Sequence, residues 1–433
     1  MPSLVGSEMC IRDRSSDVLS DQLFRQAQQA LFQAKLDGKN RFHSYDLSWE
    51  QSAQELREQL HEIRQALHAG ELVLYYQPKV NMVTGTIVGA EALLRWLKPS
   101  GELVPPLRFL PVLQDHPLEI EVGDWVIREA LRQMDQWQSE GLHLQVSVNV
   151  SGQQLLEDTF ADKLRSALED FPEVAPSALQ LEVLESSALQ DMGKVSRTMQ
   201  TCRQLGVSFA LDDFGTGFSS LVYLKHLPAS VLKIDQGFVR GMLRNTDDLP
   251  IIAGVVSMAH AFGLQVIAEG VETVPHGELL LKLGCEQAQG YGIARPMPAG
   301  DLPEWVATWP GEIAWKGIVP VDSHKVMLLS AEIDHRNWVA SMASWLATGE
   351  GAPPELDHRL CRLGQWLERE TGHKGIWSSD FAQLTRRHRN LHNRARELVV
   401  SHGQGDSVQA ERLLAELESE SEELLKSLGR LIN

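Results

Sequence analysis

The chain has 433 residues and a formal net charge of −18 at pH 7. Nucleic acid polymers and anionic membranes repel a chain of this negative charge. The charge therefore argues against non-specific binding to either. The length allows two or three domains, and the hydrophobic share of 43% supplies a large core.

The four cysteines are scattered along the chain, at positions 10, 202, 285 and 361. They form no disulfide-like framework, which suits a reducing compartment. We see no signal peptide, and no apolar run approaches the length of a membrane span. We therefore expect a cytoplasmic protein without a membrane segment.

The first 70 residues divide into three predicted segments. Residues 1–14 do not join sensibly to the next segment, and we interpret them as an artefact or as disordered. Residues 15–48 predict a helix and a short strand, and Phe24–Lys35 with Gly38-Lys39-Asn40-Arg41 resembles the end of a GGDEF (diguanylate cyclase) domain whose catalytic half is absent. Residues 49–70, rich in Glu, Gln and Arg, predict a linker helix.

From residue 71 to 309, strand-like apolar runs alternate with amphipathic helices, a pattern typical of a parallel α/β fold. Eight strand candidates over this length match the size of an α/β TIM-like (β/α)₈ barrel, which we predict. They are residues 72–80, 87–96, 144–150, 179–184, 207–211, 231–234, 264–268 and 286–293. An open doubly wound sheet is the alternative, but no glycine-rich nucleotide fingerprint follows the first strand.

Polar side chains lie at the end of every strand candidate. In chain order they are Gln77, Glu91 with Arg95, Asn149, Glu182 with Glu185, Asp212 with Asp213, Lys233 with Asp235, Glu269 with Glu272, and Gln289. Each alone is more often a surface or satisfied polar residue. Since (β/α)₈ barrels keep their chemistry at the C-terminal ends of the strands, we expect the whole set to face one pocket.

Asp212 and Asp213 are the clearest metal signal. Neighbouring carboxylates repel each other unless a cation neutralises them, and oxygen ligands suit Mg²⁺ or Mn²⁺. A solvated turn is the alternative for this stretch alone. Several carboxylates with one carboxamide could hold two metal ions for an in-line phosphoryl displacement, and Arg95 and Lys233 would supply positive charge for a phosphate.

The same residues carry a resemblance to the EAL-domain family over about residues 68–310. Glu91-Ala92-Leu93 is the signature itself. The other matching motifs are Tyr76-Gln77-Pro78, Ser147–Ser151, Asp212–Gly217, Leu232–Asp235, Ala268–Glu272 and Gln289-Gly290-Tyr291. The resemblance implies hydrolysis of cyclic di-GMP to linear pGpG with two Mg²⁺ or Mn²⁺ ions on a TIM-like barrel. In that family one strand runs antiparallel, and the sequence does not show its direction here.

The resemblance also implies a role for each matching position. The implied metal ligands are Glu91, Asn149, Glu182, Asp212 and Asp213. The implied catalytic residues are Lys233, which orients water and phosphate, Glu269, a general base or second-metal residue, and Glu185, which holds the loop after Asp213. The implied substrate-binding or supporting residues are Gln77, Arg95, Asp235 and Gln289.

One position departs from the family pattern, because Leu184 stands where a threonine is usual. No ligand is lost by this change. The alternative function is a non-catalytic cyclic di-GMP receptor. Since receptors of that kind usually lose ligands, we predict active hydrolysis.

After a linker at residues 310–323, residues 324–433 predict an all-α helical bundle. His388 and His392 are four apart and project from one helix face, although the surrounding arginines also suit a solvated basic helix. With His335 and Cys361 they could form a closed tetrahedral site for Zn²⁺.

These residues resemble the chemoreceptor zinc-binding (CZB) domain, with its core at Cys361–Trp366, its His-x-x-x-His at His388 and His392, and its upstream histidine at His335. The resemblance implies one zinc ion per chain, a homodimer, and a response to zinc or oxidants that tunes cyclic di-GMP breakdown. A bundle that only dimerises the barrel is the alternative. We interpret the remaining histidines of the segment, at positions 324, 358, 373 and 402, as surface residues.

Overall fold

The computed structural model describes residues 47–188, 191–215, 224, 227–322, 325–371 and 379–432. The GGDEF-like segment and the first 14 residues therefore lie outside the described residues. The described residues form two compact units, one that includes residues 47–73 with Arg95–Leu118 and another that includes Leu74–Leu94 with the described residues from Glu119 onward.

Ten strands are present in the described chain. They are β1 (Leu72–Asn81), β2 (Ile87–Leu97), β3 (Leu103–Val104), β4 (Val146–Val150), β5 (Leu179–Leu184), β6 (Ser208–Phe214), β7 (Val231–Ile234), β8 (Gln265–Ala268), β9 (Gln287–Ala288) and β10 (Met297–Pro298).

The α-helices of the described chain fall into two groups. The first eleven are α1 (Leu47–Ala69), α2 (Leu110–Leu113), α3 (Leu118–Ser139), α4 (Gly152–Leu156), α5 (Phe160–Asp170), α6 (Glu185–Ala188), α7 (Met192–Gln204), α8 (Gln236–Gly241), α9 (Asp248–Phe262), α10 (Val274–Lys282) and α11 (Leu302–Thr308). The C-terminal four are α12 (Val326–Thr348), α13 (Arg362–Thr371), α14 (Ser379–Gly403) and α15 (Ser407–Ile432).

Within the smaller unit, Trp96 near the end of β2 contacts Glu71, Phe109 and Val104. Its indole nitrogen donates to a Glu71 carboxylate oxygen at 2.9 Å, and its ring meets Phe109 edge-on at 5.9 Å between centroids. Trp96 also pairs with Val104 of β3 in antiparallel register.

Eight of the strands close into a barrel in the order β1-β9-β8-β7-β6-β5-β4-β2, with β1 also pairing with β2. Every neighbouring pair from β2 to β9 is parallel. β1 runs antiparallel to β9, so β1 is the strand whose direction the sequence left open. The predicted TIM-like barrel is confirmed.

Alternation along β5 shows how the sequence builds the barrel wall. Leu179, Leu181 and Val183 are all fully buried, and the intervening Gln180 and Glu182 are buried too. Successive side chains of a strand point to opposite faces. The aliphatic set therefore faces the covering helices, and the polar set faces the barrel interior.

The predicted helical bundle is likewise confirmed. α15 buries one leucine stripe, including Leu413, Leu417, Leu424 and Leu428. α12 ends at Gly349, whose φ of 64° is the left-handed C-cap that glycine adopts without steric penalty. A search of the described helices for one long and apolar enough to cross a membrane finds none.

Candidate active site and candidate zinc site

Lys233 occupies the centre of the pocket at the C-terminal ends of the strands. Its side chain is 0% exposed, and its ammonium nitrogen lies within 4 Å of carboxylates from four other strand ends. The nitrogen–oxygen distances are 2.5 Å to Glu182, 2.6 Å to Glu269, 3.2 Å to Asp212 and 3.4 Å to Glu91. The structure therefore brings together five of the predicted site residues.

The charges of this cluster are strongly coupled. Burial acts to lower the pKa of Lys233, but Glu182 and the other carboxylates outweigh it and raise that pKa well above its usual value. Burial likewise acts to raise the pKa of Glu182, yet Lys233 and Lys79 hold it at about 2. The metal-free pocket thus keeps one ammonium and one carboxylate firmly ionised.

The other carboxylates of the pocket have raised pKa values. Burial and the neighbouring carboxylates raise those of Glu91 and Asp212, and raise that of Glu269 to about 8. Burial, Asp212 and Asp235 raise the pKa of Asp213 to about 6. The positive charge of Lys233 does not balance the negative charges of the surrounding carboxylates. A bound cation would relieve the repulsion among these carboxylates.

The turn after β6 is held in an unusual backbone conformation. Asp213 has a φ of 53°, in the left-handed region that few non-glycine residues adopt, and Gly215 has a φ of 102°. The Asp213 amide donates to the Asp212 carboxylate at 3.0 Å. Glu185 accepts a hydrogen bond from the Gly215 amide at 3.3 Å, the contact that its predicted loop-holding role requires.

Two side-chain amides hold the carboxylate of Glu91, and a third holds one of those two. Asn149 donates to one of its oxygens at 2.9 Å, and Gln289 donates to the other at 2.7 Å. Gln289 also donates to Gln77 at 2.9 Å, and Gln77 donates to the Ala294 carbonyl at 2.9 Å. The predicted substrate-binding amides therefore support a predicted metal ligand.

Asp235 adjoins Asp213, whose pKa it helps to raise. Asp235 is the N-cap of α8 and accepts a hydrogen bond from the Gly237 amide at 2.9 Å. Arg95 is half-buried on β2 and belongs to the smaller unit. Leu184, where the family pattern has threonine, is 40% exposed, so its side chain does not lie in the buried pocket.

Sequence reasoning missed Lys79, a second buried ammonium. It donates to the Ser147 hydroxyl at 2.9 Å and to the side-chain carbonyl oxygen of Gln180 at 3.2 Å, and lies 3.6 Å from Glu182 Oε1. Burial lowers its pKa. The signal was available, because Lys79 stands two residues after Gln77 and so shares its strand face.

The oxygen donors fit divalent cations. Two overlapping groups have carboxylate oxygens within 4.8 Å of one another, namely Glu91 with Glu182 and Asp212, and Asp212 with Asp213 and Glu269. Glu182 Oε1 is buried and accepts no hydrogen bond from any residue that the structure describes. Hard oxygen ligands of this kind suit Mg²⁺ or Mn²⁺.

A second cluster lies in the helical bundle. His335 of α12, Cys361 just before α13, and His388 and His392 of α14 have ligand atoms within 4.8 Å of one another. The Cys361 sulfur and His388 Nε2 are 3.1 Å apart. All four predicted zinc-site residues therefore meet at one place.

This donor set fits Zn²⁺. The Nε2 atoms of His335 and His392 are buried and have no hydrogen-bond partner in the described chain. Burial lowers the pKa of each of these two histidines to about 4, so both rings are neutral at pH 7, as metal ligation requires. Imidazole nitrogen and thiolate sulfur are both zinc ligands, and four such donors match the tetrahedral coordination of a closed zinc site.

The turn around Cys361 explains why residue 364, three positions after this cysteine, is a glycine. The Gly364 amide donates to the Cys361 sulfur at 3.3 Å, and a Cβ at Gly364 would lie 1.7 Å from the His358 carbonyl oxygen. Only glycine permits this approach.

The interpretation of His358 as a surface residue needs revision. Its side chain is 24% exposed, and its ring centroid lies 6.0 Å from that of His388 and 6.4 Å from that of His392. It therefore packs beside the metal-ligand cluster. Its position three residues before Cys361 was the available signal.

Comparison with known families matches residues 60–296 to the EAL domain and residues 335–399 to the chemoreceptor zinc-binding domain. EAL domains use divalent metals and CZB domains bind zinc. The carboxylate cluster of the barrel and the histidine–cysteine cluster of the bundle both lie within the matched residues.

Similar proteins extend the comparison. The bifunctional diguanylate cyclase/cyclic di-GMP phosphodiesterase MucR of Pseudomonas aeruginosa is 41% identical over 282 residues, which are 65% of this chain and 41% of MucR. The cyclic di-GMP phosphodiesterase PdeR of Escherichia coli is 35% identical over 287 residues, 66% of this chain and 43% of PdeR. The chain thus spans about two fifths of these relatives' length.

Among solved structures, the MucR phosphodiesterase in complex with c-di-GMP is 43% identical. The superposition has a TM-score of 0.54, and the aligned residues cover 57% of this chain and 99% of the MucR chain.

Proposed function

Since the chain belongs to the EAL-domain family, we propose that it hydrolyses cyclic di-GMP to linear pGpG. MucR and PdeR, which are similar to it, are cyclic di-GMP phosphodiesterases by name, and the similar solved structure is a c-di-GMP complex. The observation that carries the proposal is the convergence of Glu91, Glu182, Asp212 and Glu269 on Lys233 in one buried pocket. A receptor that only binds the dinucleotide needs no such set of metal-ligating carboxylates.

Glu91, Asn149, Glu182 and Asp212 would hold one Mg²⁺ or Mn²⁺, and Asp212 with Asp213 would hold a second. Two such ions supply activation of water and charge stabilisation for an in-line phosphoryl displacement. Lys233 keeps its proton, so it binds a phosphate oxygen and orients the attacking water beside it. Gln77, Arg95, Asp235 and Gln289 are the proposed substrate contacts.

Two glutamates have distinct proposed tasks. Glu269, with its pKa raised to about 8, holds a proton at neutral pH in the metal-free protein. A cation bound beside Glu269 would lower this pKa and free the carboxylate, which would then accept a proton from water in the general-base role. Glu185 holds the turn after β6 through Gly215 and so keeps Asp213 directed at the pocket.

The rate of cyclic di-GMP hydrolysis by Asp212→Asn tests the assignment of the metal ligands. We expect the variant to lose at least about 100-fold of the rate of pGpG release, because it lacks the negative charge that both ions would share. Asp162→Asn, which alters an exposed aspartate that pairs with Arg165, is the matched control and should hydrolyse like the parent. Undiminished hydrolysis by Asp212→Asn would refute the site. Binding of cyclic di-GMP without hydrolysis by the parent would favour the receptor alternative.

The C-terminal bundle is proposed to bind one Zn²⁺ through His335, Cys361, His388 and His392. Zinc or redox state at this site would tune hydrolysis in the barrel, and the protein would act as a homodimer. A thiolate bound to zinc is open to oxidation, which gives the redox response a chemical basis. A bundle that only dimerises the barrel would leave hydrolysis unchanged on zinc removal.

The domain division is part of the same proposal. We assign residues 15–48 to a GGDEF-domain remnant, 49–70 to a linker helix, 71–309 to the phosphodiesterase barrel, 310–323 to a linker and 324–433 to the zinc-binding bundle.

A further inference from the structure

The loop between α8 and α9 of the barrel is fastened to the bundle. Arg362, the first residue of α13, donates from Nη2 to Asp247 at 2.7 Å and from Nε to Asp334 of α12 at 2.9 Å. The other oxygen of Asp334 accepts a hydrogen bond from the Thr246 hydroxyl. One arginine thus joins the bundle's own aspartate to an aspartate of the barrel loop.

Asn337, one turn further along α12, adds a backbone anchor to the same loop. Its amide donates to the Leu243 carbonyl at 3.2 Å and to the Arg244 carbonyl at 3.3 Å. Side chains on one stretch of α12 therefore hold both ends of residues 243–247.

Both fastening residues adjoin candidate zinc ligands. Asp334 immediately precedes His335, and Arg362 immediately follows Cys361. A metal ion bound by His335 and Cys361 would fix the separation of these two backbone positions. The same ion would thereby fix the separation of Asp334 and Arg362, which together hold the loop.

On its other side the loop continues α8, which packs against two strand ends of the pocket. Phe238 lies so close to Gly215 that a Cβ there would come within 3.0 Å of its ring. A Cβ at Gly270 would lie 2.7 Å from the Gln236 side chain. Arg240 pairs with Glu272 at 2.8 Å.

These contacts join α8 to the turn after β6 and to the segment after β8. Gly215 belongs to the turn that carries Asp213, and Gly270 and Glu272 closely follow Glu269 in the chain. Asp235, which caps α8, is also one of the groups that raise the pKa of Asp213. A displacement of α8 would therefore reach both candidate second-metal carboxylates.

We propose that Arg362 is a positioning residue for the barrel pocket, and that it links metal occupancy of the bundle to α8 through Asp247. The element with two arrangements is the 242–247 loop, either fastened by Arg362 or released. A ligand shifts such an equilibrium only if it interacts differently with the two arrangements, and zinc does so because its ligands adjoin the fastening residues. This inference rests on the proposed regulation of the hydrolase by zinc.

Arg362→Gln tests the inference, with Arg336→Gln as the matched control. Arg336 lies on α12 beside His335 and pairs only with Glu332 of the same helix among the ion pairs of the described chain. Arg362→Lys tests for rescue, because it keeps the charge without the two-pronged geometry. Each protein first has its zinc content measured, which should stay unchanged.

The first readout is amide hydrogen exchange of residues 236–247 in the zinc-loaded and zinc-stripped full chain. We expect zinc to slow exchange there by about fivefold or more in the parent and in Arg336→Gln. Arg362→Gln should show no response to zinc, and Arg362→Lys a partial one. A full zinc response in Arg362→Gln would overturn the inference, as would the absence of any response in the parent.

The second readout is the ratio of cyclic di-GMP hydrolysis rates with and without bundle zinc. We expect a ratio different from one in the parent, and a ratio of one in Arg362→Gln. If the parent hydrolyses no cyclic di-GMP, the proposed function fails, whereas the exchange experiment still decides whether Arg362 transmits zinc occupancy. If the ratio in Arg362→Gln equals that of the parent, the inference is overturned even if hydrolysis is confirmed.

Discussion

Glu269→Gln should remove one large contribution to the pH dependence of stability in metal-stripped protein. Glu269 is 17% exposed and its carboxyl lies 2.6 Å from the Lys233 ammonium, among the carboxylates of Glu91 and Asp212. Burial and those carboxylates raise its pKa from 4.5 to about 8 despite the lysine.

The sign follows from proton binding. Between pH 4.5 and 8 the folded protein holds the Glu269 proton while the unfolded chain releases it, so stability falls as pH rises through this window. A shift of roughly three and a half units at 1.36 kcal/mol each gives about 5 kcal/mol at most. The range from pH 5 to 8.5 covers about 4 kcal/mol of this. Sharing of charge with neighbouring carboxylates reduces it further, and we expect about 2–4 kcal/mol.

The assay is urea unfolding in chelator at about pH 5 and about pH 8.5, followed by tryptophan fluorescence. The parent should lose about 2–4 kcal/mol more of its free energy of unfolding than Glu269→Gln does over this range. Glu304→Gln, on the surface helix α11, controls for the loss of one carboxylate and should behave like the parent. Equal pH dependence in the parent and in Glu269→Gln would refute the reasoning.

Three further predictions concern the bundle and the family departure. Cys361→Ala should lower zinc affinity by at least about tenfold, because one of four ligands is lost, and undiminished zinc by metal analysis would contradict the site. Gly364→Ala should destabilise the bundle by more than about 2 kcal/mol, since its Cβ would meet the His358 carbonyl at 1.7 Å; an unchanged thermal midpoint would refute this close approach. Leu184→Thr should leave hydrolysis within about twofold, because Leu184 is 40% exposed, and a larger change in rate would place this side chain in the mechanism.

Strand positions were predictable where a short run rich in apolar residues contains no glycine. The fourth and sixth candidates, 179–184 and 231–234, agree with β5 and β7 residue for residue. The last candidate, 286–293, is a strand only at Gln287–Ala288. Its other residues leave the sheet because the Gly290 and Gly292 backbones pack directly on residues 271–273, an approach that no apolar pattern encodes.

The pocket was predictable because each strand ends in a polar residue, and parallel strands bring such ends together. The network among those residues was not. The spacing of Lys79 from Gln77 indicates its strand face, but its distance of 3.6 Å from Glu182 follows only from barrel closure. The Arg362–Asp247 contact joins residues 115 positions apart, and no local pattern reports a pairing of that separation.

The most direct test of the central claim is pGpG release from cyclic di-GMP by metal-stripped protein as Mn²⁺ is titrated in. Hydrolysis should be absent without the ion, rise with its concentration and reach a plateau. No pGpG at any Mn²⁺ concentration, from protein that still binds cyclic di-GMP, would contradict the proposed hydrolase.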